Sequence, residues 1–576
     1  MPSSKSYQFG RYRLQSPLGL LYRGTEIAPL PPKAAQVLLV LLENCGEVVT
    51  KAELLKRAWQ DAIVEEGSLT RAISVLRKAL GAAADGRNVI ATISKRGYRF
   101  TAPVRVSEQP VHNEEKKVLL AVLPFDNLSP DPGQEYFSDG LTEEMITNLS
   151  RLNPERLGVI ARTSAMMFKG TKKRISHIGT ELGVHYVLAG SVRRMGNQLR
   201  ISAQLIRVND ETHVWAKSYA RSLGDVLKLQ SEVARSIAAE IQIKLTPRGE
   251  RTLRQDVEVS PEAYESYLRG RHSWNKRTEE GMRKSIAHYE QAIHLCPDYA
   301  MAHAGVADSY VMLACRGMVP AKDTLRKAKA AARQAIDLDD GLGVAHASLA
   351  HVRLHDWDWV GLEKDFRQAI DLDPSQAIAY YWFGEYLMSM GRPEEAIAVT
   401  HEAHRIDPLS PVIGSSVAMI LYLARNYDRA LEVAERTREI HPEHFLPHLR
   451  MGLILLQKGA HARAIAELKT AVALSGKSTE TVAALGAAFA AAGKSKQAKQ
   501  LLSQLERSQQ RHYVLPYNIA KIHAAAGNKS KAFDWLERAY EEANPDLIEL
   551  NSEPIFDSIR GDSKFSALMR RVGWVV

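Results

Sequence analysis

Cysteine is scarce in this sequence. Its 576 residues include three cysteines, Cys45, Cys296 and Cys315, which lie far apart along the chain. Three scattered thiols cannot build a disulfide framework, and they lack the spacing of a zinc site. Cys296 and Cys315 could meet across a pair of helices, but buried thiols that remain reduced are what we expect.

Long apolar runs are also missing. The longest, Val417–Ala424 and Val482–Ala492, fall well short of the roughly 18 residues that a membrane-spanning helix needs. The N-terminal residues, MPSSKSYQF, have no apolar core of the kind found in secretory signals. We therefore expect a cytoplasmic protein without a membrane partner.

Catalytic and cofactor motifs are absent as well. The chain has no Walker phosphate loop, HExxH zinc motif, GxSxG elbow or dinucleotide fingerprint. The pairs His401/His404 and His441/His444 have a spacing that can bind metal on a helix, but neither has further ligands close by in the sequence. We predict that the protein is not an enzyme and that it holds no metal or cofactor.

Positive charge, by contrast, is concentrated near the N-terminus. Residues 1–105 hold 16 Lys or Arg against 8 Asp or Glu, and residues 68–105 hold eight cations against one acid. After residue 250 the chain has 41 bases and 41 acids. Because DNA binding requires cations that neutralise phosphates, this distribution predicts a nucleic-acid-binding region at the N-terminal end alone.

Within that region, Ser68–Leu80 has the periodicity of an amphipathic helix, with Ser68 as a possible N-cap and Gly81 as its stop. The face opposite its leucines gathers three cations and two hydroxyls without an acid: Thr70, Arg71, Ser74, Arg77 and Lys78. Two β-prone runs follow, Val89–Ile93 and Tyr98–Ala102, joined by the basic tip Ser94–Gly97. A helix followed by a basic β-wing predicts contact with a DNA duplex; the alternative is a solvated helix with ordinary basic decoration.

Further motifs accompany this helix and wing. They are the strand regions Tyr7–Leu14 and Gly19–Ile27, the helices LPPKAAQVLLVLLEN (Leu30–Asn44) and GEVVTKAELLKRAW (Gly46–Trp59), and the wing Val89–Phe100. Together, residues 1–105 closely resemble the winged helix-turn-helix domain of OmpR-type bacterial regulators, in the variant of CadC-like proteins. CadC-like relatives have a membrane span after this domain, and the present sequence shows none.

The resemblance implies roles for individual residues. Thr70, Arg71, Ser74 and Arg77 would face the major groove, with Lys78 on the same arc. Lys95, Arg96 and Arg99 would run along the phosphate backbone or the minor groove, while Tyr98 packs the wing. The loop Trp59–Glu66 would contact RNA polymerase. Position 72 is Ala, where relatives often have a polar residue, so we expect little direct base readout.

After a polar linker, residues 106–116, the pattern of residues 117–250 is α/β, beginning with the buried strand Val118–Phe125. Ser138 or Asp139 could cap a helix that runs to about Leu152. The motifs VLPF (122–125), YFSDGL (136–141), GSV (190–192) and VWAKSY (214–219) make the segment resemble the TolB amino-terminal-like domain. Phe137, Asp139 and Gly140 could line a ligand pocket; a helix cap and a turn are the simpler interpretation, which we favour.

From residue 260 to 544 the sequence repeats. Pro374, Pro408 and Pro442 are spaced by 34 residues, and small residues recur at fixed positions of each unit. This is the tetratricopeptide pattern, and the spacing predicts about eight units. A groove formed by such an array takes a peptide or a protein partner, or mediates self-association. One or two members of the aromatic group Trp357, Trp359, Tyr380, Tyr381 and Trp382 could anchor that guest.

The last segment, residues 545–576, departs from the repeat and is predicted to form helices that cap the solenoid. The fold class is therefore multidomain: a winged helix (α+β), a small α/β domain and an all-α tetratricopeptide solenoid. We predict a bacterial transcriptional regulator that binds double-stranded DNA through the winged helix and a protein partner through the repeats. The alternative is a tetratricopeptide scaffold or adaptor without sequence-specific DNA binding.

Overall fold

The computed structural model of the chain describes residues 5–10, 12–15, 20–23, 26–28, 32–58, 66–80, 89–94, 96–108, 117–254, 259–509 and 513–574. The chain divides into two compact units, Met1–Lys116 and Lys117–Val576. In the described residues the first unit contains β1 (Lys5–Phe9), β2 (Tyr12–Gln15), β3 (Leu20–Arg23), β4 (Glu26–Ala28), α1 (Pro32–Glu43), β5 (Val49–Thr50), α2 (Lys51–Ala58), α3 (Glu66–Leu80), β6 (Ile90–Ile93), β7 (Gly97–Phe100) and β8 (Arg105–Glu108).

Two antiparallel sheets frame the helices of the first unit. One has the strand order β4-β3-β2-β1-β8, and the other the order β5-β7-β6. The helices bury their apolar faces together: Leu38 of α1, Leu54 of α2 and Leu76 of α3 are within 1% of complete burial. Phe9 meets Phe100 edge to face at 5.1 Å, which joins the two sheets. The winged-helix prediction is confirmed.

Some predicted boundaries are wrong. Because α3 begins at Glu66, Ser68 lies inside its first turn and is not the N-cap; an acidic residue such as Glu66 suits the positive end of a helix. Gly81 lies outside the described residues. Residues 106–108, predicted to open the linker, continue β8, which pairs with β1.

The second unit begins with an α/β module, residues 117–254. Its elements are β9 (Val118–Val122), β10 (Asp126–Asn127), α4 (Glu135–Ser150), β11 (Leu157–Val159), α5 (Arg162–Met166), α6 (Ile175–Leu182), β12 (Tyr186–Met195), β13 (Gln198–Arg207), β14 (His213–Ser222), α7 (Val226–Glu240) and α8 (Pro247–Arg254). The sheet has the order β11-β9-β12-β13-β14, with β10 beside β12. Strands β9, β11 and β12 are parallel, and β12 to β14 are antiparallel.

Helix α4 corrects the interpretation of its first turns as a cap and a turn, and the ligand pocket stays a prediction. It starts at Glu135, so Asp139 is not a cap and Gly140 is not a turn residue. Instead, the carboxylate of Asp139 accepts a hydrogen bond from Lys169 at 2.6 Å. A Cβ at Gly140 would lie 2.6 Å from the side chain of Leu268, so the glycine lets α4 pack tightly against the first repeat helix.

Eight helix pairs follow in the part of the chain that the structure describes, as the 34-residue spacing predicted. The pairs are α9 (Pro261–Trp274) with α10 (Glu279–Leu295), α11 (Ala300–Cys315) with α12 (Ala321–Leu338), α13 (Gly343–His355) with α14 (Leu362–Leu372), α15 (Ala377–Ser389) with α16 (Pro393–Ile406), α17 (Pro411–Leu423) with α18 (Tyr427–Ile440), α19 (Phe445–Gln457) with α20 (His461–Leu474), α21 (Thr479–Ala491) with α22 (Ser495–Ser508), and α23 (Pro516–Ala525) with α24 (Lys529–Glu541). At Gly384 and Gly452 a Cβ would lie 2.4 Å from a side chain of the paired helix. The small repeat positions therefore allow the two helices of a pair to approach closely.

The last described residues of the chain, 544–574, form a segment that we call the strap. They form 3-10 turns at Pro545–Glu549 and Pro554–Phe556 and then α25 (Ser563–Val572). Phe556 and Leu568 pack into the core of the last repeat pair, as expected of a cap. The strap also crosses to earlier repeats, because the indole of Trp359 donates to the carbonyl of Val572 at 2.9 Å.

None of the helices in the described ranges combines the length and the apolar composition that a bilayer crossing requires.

Candidate nucleic-acid interface and repeat groove

The outer face of α3 carries the side chains predicted to face the DNA groove. Thr70, Arg71 and Ser74 are exposed there, and residues 67–80 include no acid. Ala72 is 7% exposed and belongs to the core, so its apolar character does not weaken this face. The side chain of Lys78 lies outside what the structure describes.

Arg77 is placed differently from its neighbours. It is half-buried, and its guanidinium donates to the carbonyl of Ile90 at 2.8 and 3.1 Å and to the hydroxyl of Thr92 at 2.7 Å. Both acceptors belong to β6, the first strand of the wing. Arg77 therefore fixes the wing against α3, a role that the sequence reasoning did not foresee.

The wing presents two arginines and buries its tyrosine. Arg96 and Arg99 are exposed, while Tyr98 is 6% exposed and packs into the core as predicted. Lys95 lies outside the described residues. Gly97 is required at the end of the tip, since its φ is +156° and a Cβ would lie 2.0 Å from the carbonyl oxygen of Val49.

These positions make a surface suited to a polyanion. Among the described residues, no ion pair is recorded for Arg71, Arg96 or Arg99. Exposed guanidinium groups without acidic partners can bind phosphates or the edge of guanine in a groove. Of the predicted polymerase loop, Trp59–Glu66, only Glu66 falls within the described residues.

In the second unit, the α/β module is fastened to the repeats by buried polar contacts. The carboxylate of Asp407 accepts from the backbone N–H of Ser164 at 2.8 Å and from its hydroxyl at 2.5 Å. The N–H of Ala161 donates to the carbonyl of Ile406 at 2.9 Å. Asp373 accepts from the hydroxyl of Ser150 at 3.2 Å. Asp373 and Asp407 each precede a proline of the 34-residue spacing, so the repeat loops hold the module.

A cavity of about 320 Å³ lies between α4 and the first helices of the repeats. Four arginines line it: Arg151, Arg162, Arg271 and Arg277. Glu143 pairs with Arg271 and, at 3.2 Å, with Arg162. Burial alone would raise the pKa of Glu143, but the charges of these two arginines lower it. The Nε–H groups of Arg151 and Arg271 are buried without an acceptor among the described residues.

Arg277 is a buried cation of this cavity, whose lining also includes five acids: Glu143, Glu144, Asp308, Asp373 and Asp407. Its guanidinium lies 3.6 Å from the ring centre of Trp274, and no ion pair joins it to a described acid. Burial, and then the charges of Arg316 and Arg271, lower its pKa to about 9. Its backbone φ is +56°, an unfavourable conformation for a residue with a side chain. A cation held in this way is suited to a negatively charged ligand.

The strap fills the face formed by the first helices of several repeat pairs. Ser389 of α15 donates to the carbonyl of Ile548 at 2.8 Å, and the hydroxyl of Tyr422 on α17 donates to Glu553 at 2.7 Å. Lys521 of α23 pairs with the same Glu553 at 3.0 Å. The groove that the sequence assigned to a guest is therefore occupied over these repeats by the chain itself.

The predicted aromatic group divides between the strap and the core. Trp359 contacts the strap through Val572 and lies 5.7 Å from Trp574, while Trp357 stacks on Tyr540 of the last pair at 5.4 Å. Trp382 stacks on His351 at 3.9 Å within the array. Trp359 is thus an anchor, as proposed, but its guest is an internal segment.

Comparison with known families finds matches in three parts of the chain. Residues 24–100 match the family described as "Transcriptional regulatory protein, C terminal". Residues 115–236 match "HilA/YgeH-like transcriptional regulator, second domain". Residues 363–411 and 418–479 match the tetratricopeptide repeat. The resemblance to TolB domains stays a prediction.

The relatives include a transcriptional regulator that aligns with most of this chain. The chain is 28% identical to the transcriptional regulator HilA of Salmonella typhimurium over 465 residues, which cover 80% of this chain and 81% of HilA. It is 37% identical over 258 residues to a Rhizobium meliloti protein named "Putative adenylate cyclase 3", covering 44% of this chain and 43% of that relative's length. Among solved structures, the DNA-binding domain of Escherichia coli CadC aligns with 28% identity, covering 18% of this chain and 100% of that one, with a TM-score of 0.17.

Proposed function

We propose that this chain, which carries the DNA-binding domain of transcriptional regulatory proteins, a HilA-like second domain and tetratricopeptide repeats, controls transcription by binding double-stranded DNA through α3 and the wing. The observation that carries the proposal is the exposure of Arg71, Arg96 and Arg99 without acidic partners among the described residues. The resemblance to HilA over most of both chains supports it.

In this mechanism α3 enters the major groove. Thr70, Arg71 and Ser74 reach base edges and neighbouring phosphates, while Arg96 and Arg99 contact the backbone beside the wing. Arg77 acts indirectly, because its hydrogen bonds to β6 fix the distance between these two sets of contacts. Lys78 and Lys95 are further proposed contacts.

The site of action follows from the ligand. A protein that reads a bacterial promoter works in the cytoplasm, and its role is binding, without catalysis. Contact with RNA polymerase and self-association are further proposals that the repeats and the loop Trp59–Glu66 would serve. A protein partner of the repeats has to use a surface other than the strap-filled face, or it has to displace the strap.

Genome-wide DNA capture with the full chain tests the proposal. We expect discrete peaks for the wild type and their loss in the triple variant Arg71→Ala/Arg96→Ala/Arg99→Ala. Arg57→Ala is the matched control, because Arg57 lies on α2 and pairs with Glu43. If the wild type gave no peaks, the adaptor alternative would take precedence; equal peaks for the triple variant would sink this assignment of the interface.

A second function, the binding of an effector, is favoured by Arg277. A small carboxylate or phosphate in the 320 Å³ cavity would give Arg277 the ion-pair partner that it lacks among the described residues, although the charges of Asp308 and Glu143 already act on it. The cavity lies where the α/β module meets the repeats, so a ligand there would contact both parts of the second unit. We propose that the regulator responds to such an anion.

Thermal denaturation with inorganic phosphate and with succinate tests this second function and separates the two chemical classes. We expect one of the two to raise the melting temperature of the wild type and to have no such effect on Arg277→Ala. Arg283→Ala is the control, since Arg283 is exposed and pairs with Glu279 on its own helix. If neither anion stabilised the wild type, or both variants responded equally, this second function would be wrong.

A further inference from the structure

One cluster of thiol and imidazole groups lies outside everything assigned so far. Cys315 at the end of α11 and His351 and His355 of α13 place their ligand atoms within 4.8 Å of one another. The two histidines are 3% and 5% exposed. Among the described residues it is the one group of three or more such donors that could share an ion.

The hydrogen bonds of the two histidines define which nitrogen is available. The carbonyl of Pro545 can only accept, so Nδ1 of His355, 3.0 Å away, carries the proton, and Nε2 of His355 has a lone pair. Nε2 of His351 lies 3.0 Å from Nε2 of His355, so it donates its proton to that lone pair. Nδ1 of His351 is buried without a partner among the described residues.

This pattern is the one that orients a metal-binding histidine. A ligating imidazole commonly donates its second N–H to a backbone carbonyl, which fixes the ring and its tautomer; Pro545 supplies that carbonyl to His355. A tetrahedral zinc ion, with bonds of about 2.1 Å to nitrogen and about 2.3 Å to sulfur, holds its ligand atoms roughly 3.3–3.7 Å apart. The observed separations need only small side-chain movements to reach these values.

The surrounding charge suits a cation. The carboxylates of Glu385 and Asp546 are close enough to act electrostatically on Cys315. The same carboxylates would be stabilised by a nearby divalent ion. A thiolate with two imidazoles selects zinc-like ions over magnesium or calcium, which prefer oxygen ligands.

We propose that Cys315, His351 and His355 bind a zinc ion, with the fourth position open to water. The site joins the second and third repeat pairs and, through the carbonyl of Pro545, the start of the strap. On binding, Cys315 releases its thiol proton to solvent, and His351 changes tautomer so that its proton lies on Nδ1 and the lone pair of Nε2 turns to the ion. Zinc would therefore fasten the strap to the array.

Titration of the full-length, chelator-treated protein with Co²⁺ tests the site. We expect one equivalent of Co²⁺ to produce visible bands and a sulfur-to-cobalt charge-transfer band, both abolished by one equivalent of Zn²⁺. Cys315→Ser should lose the charge-transfer band, and His355→Ala should weaken Co²⁺ binding at least tenfold. Cys296→Ser, which removes another partly buried thiol of the same unit, should match the wild type.

A second measurement protects the test against variants that fold poorly. Zn²⁺ should raise the melting temperature of the wild type and of Cys296→Ser and leave that of Cys315→Ser unchanged. Absence of the charge-transfer band in the wild type would overturn the proposal without reference to any variant. Retention of the band in Cys315→Ser would overturn it as well.

Discussion

Arginine serves opposite purposes in the two units of this protein. In the first unit Arg71, Arg96 and Arg99 are exposed and have no acidic partner among the described residues. In the second unit arginines such as Arg271 and Arg353 are held by carboxylates of the same chain. Net charge therefore reports function only where the charges lack internal partners.

Some arginines depart from this division. In the first unit, Arg57 pairs with Glu43, and Arg77 of the basic helix makes internal hydrogen bonds to the wing. In the second unit, no ion pair joins Arg277 to a described acid. Arg77 thus supports a binding surface, and Arg277 marks a cavity.

The largest effect is expected from an internal contact. Asp407→Ala removes the carboxylate that accepts from the backbone N–H and the hydroxyl of Ser164, and it leaves both buried donors without an acceptor. We expect the free energy of unfolding of the second unit to fall by about 2–4 kcal/mol, measured by urea denaturation. DNA affinity of the folded protein should not change. Asp298→Ala, an exposed acid of a repeat loop, is the control, and an equal loss there would contradict the prediction.

Removal of an exposed arginine should have the opposite result, with weaker DNA binding and unchanged stability. We expect Arg71→Ala to weaken binding to a captured DNA fragment by about 5- to 100-fold, or about 1–3 kcal/mol, because each good base-edge contact contributes that much. The melting temperature should stay the same, since Arg71 has no described ion pair. Fluorescence anisotropy at fixed salt measures the affinity. Unaltered affinity would mean that α3 does not face the groove as proposed.

Arg77→Ala should reduce both the stability of the first unit and the affinity for DNA. The carbonyl of Ile90 loses its charged donor, so we expect the first unit to lose about 1–2 kcal/mol of stability, and DNA binding to weaken because the wing is no longer fixed. Thr92→Val separates the loss of stability from the loss of charge, since it removes one acceptor of Arg77 and keeps the charge of the arginine. If Arg77→Ala reduced affinity without reducing stability, Arg77 would be a direct DNA contact.

The smallest effect concerns pH. Burial, and then the charge of Glu143, raise the pKa of Glu144 to about 7 from 4.5. Because the pKa of Glu144 is raised in the folded state, the neutral carboxyl contributes its full stabilisation below about pH 4.5, and this contribution is lost as the pH rises through 7. At pH 8 the free energy of unfolding of Glu144→Gln should therefore exceed that of the wild type by on the order of 1 kcal/mol. Near pH 4.5 the two free energies should be similar. Urea titrations at both values measure the difference.

Glu439→Gln provides the reference for that comparison, because Glu439 is exposed on α18. Its difference from the wild type should be the same at both pH values. A Glu144→Gln difference that did not depend on pH would mean that this carboxylate is not held in its neutral form by the fold.

The elements that repeat locally were predictable, and the contacts between distant segments were not. The spacing of Pro374, Pro408 and Pro442 predicted eight helix pairs, and the charges around Ser68–Leu80 predicted the winged helix. The helix with the zinc-site histidines was also predicted, but the sequence expectation for metal binding named only histidine pairs spaced by three residues and not His351/His355, which are spaced by four. Its spacing was the signal that could have found it, whereas Cys315 had none.

The sequence by itself determined which segments are helices and strands and where positive charge accumulates, because both depend on neighbouring residues. Tertiary structure decided which charges remain available. Arg77 lies at the margin of the basic arc, and only the position of β6 turns it inward. The strap reaches Ser389 and Tyr422 across more than a hundred residues of sequence, since the stacking of the repeat pairs places their first helices beside the strap. That stacking depends on packing between distant segments, so no local pattern encodes which segment fills the groove.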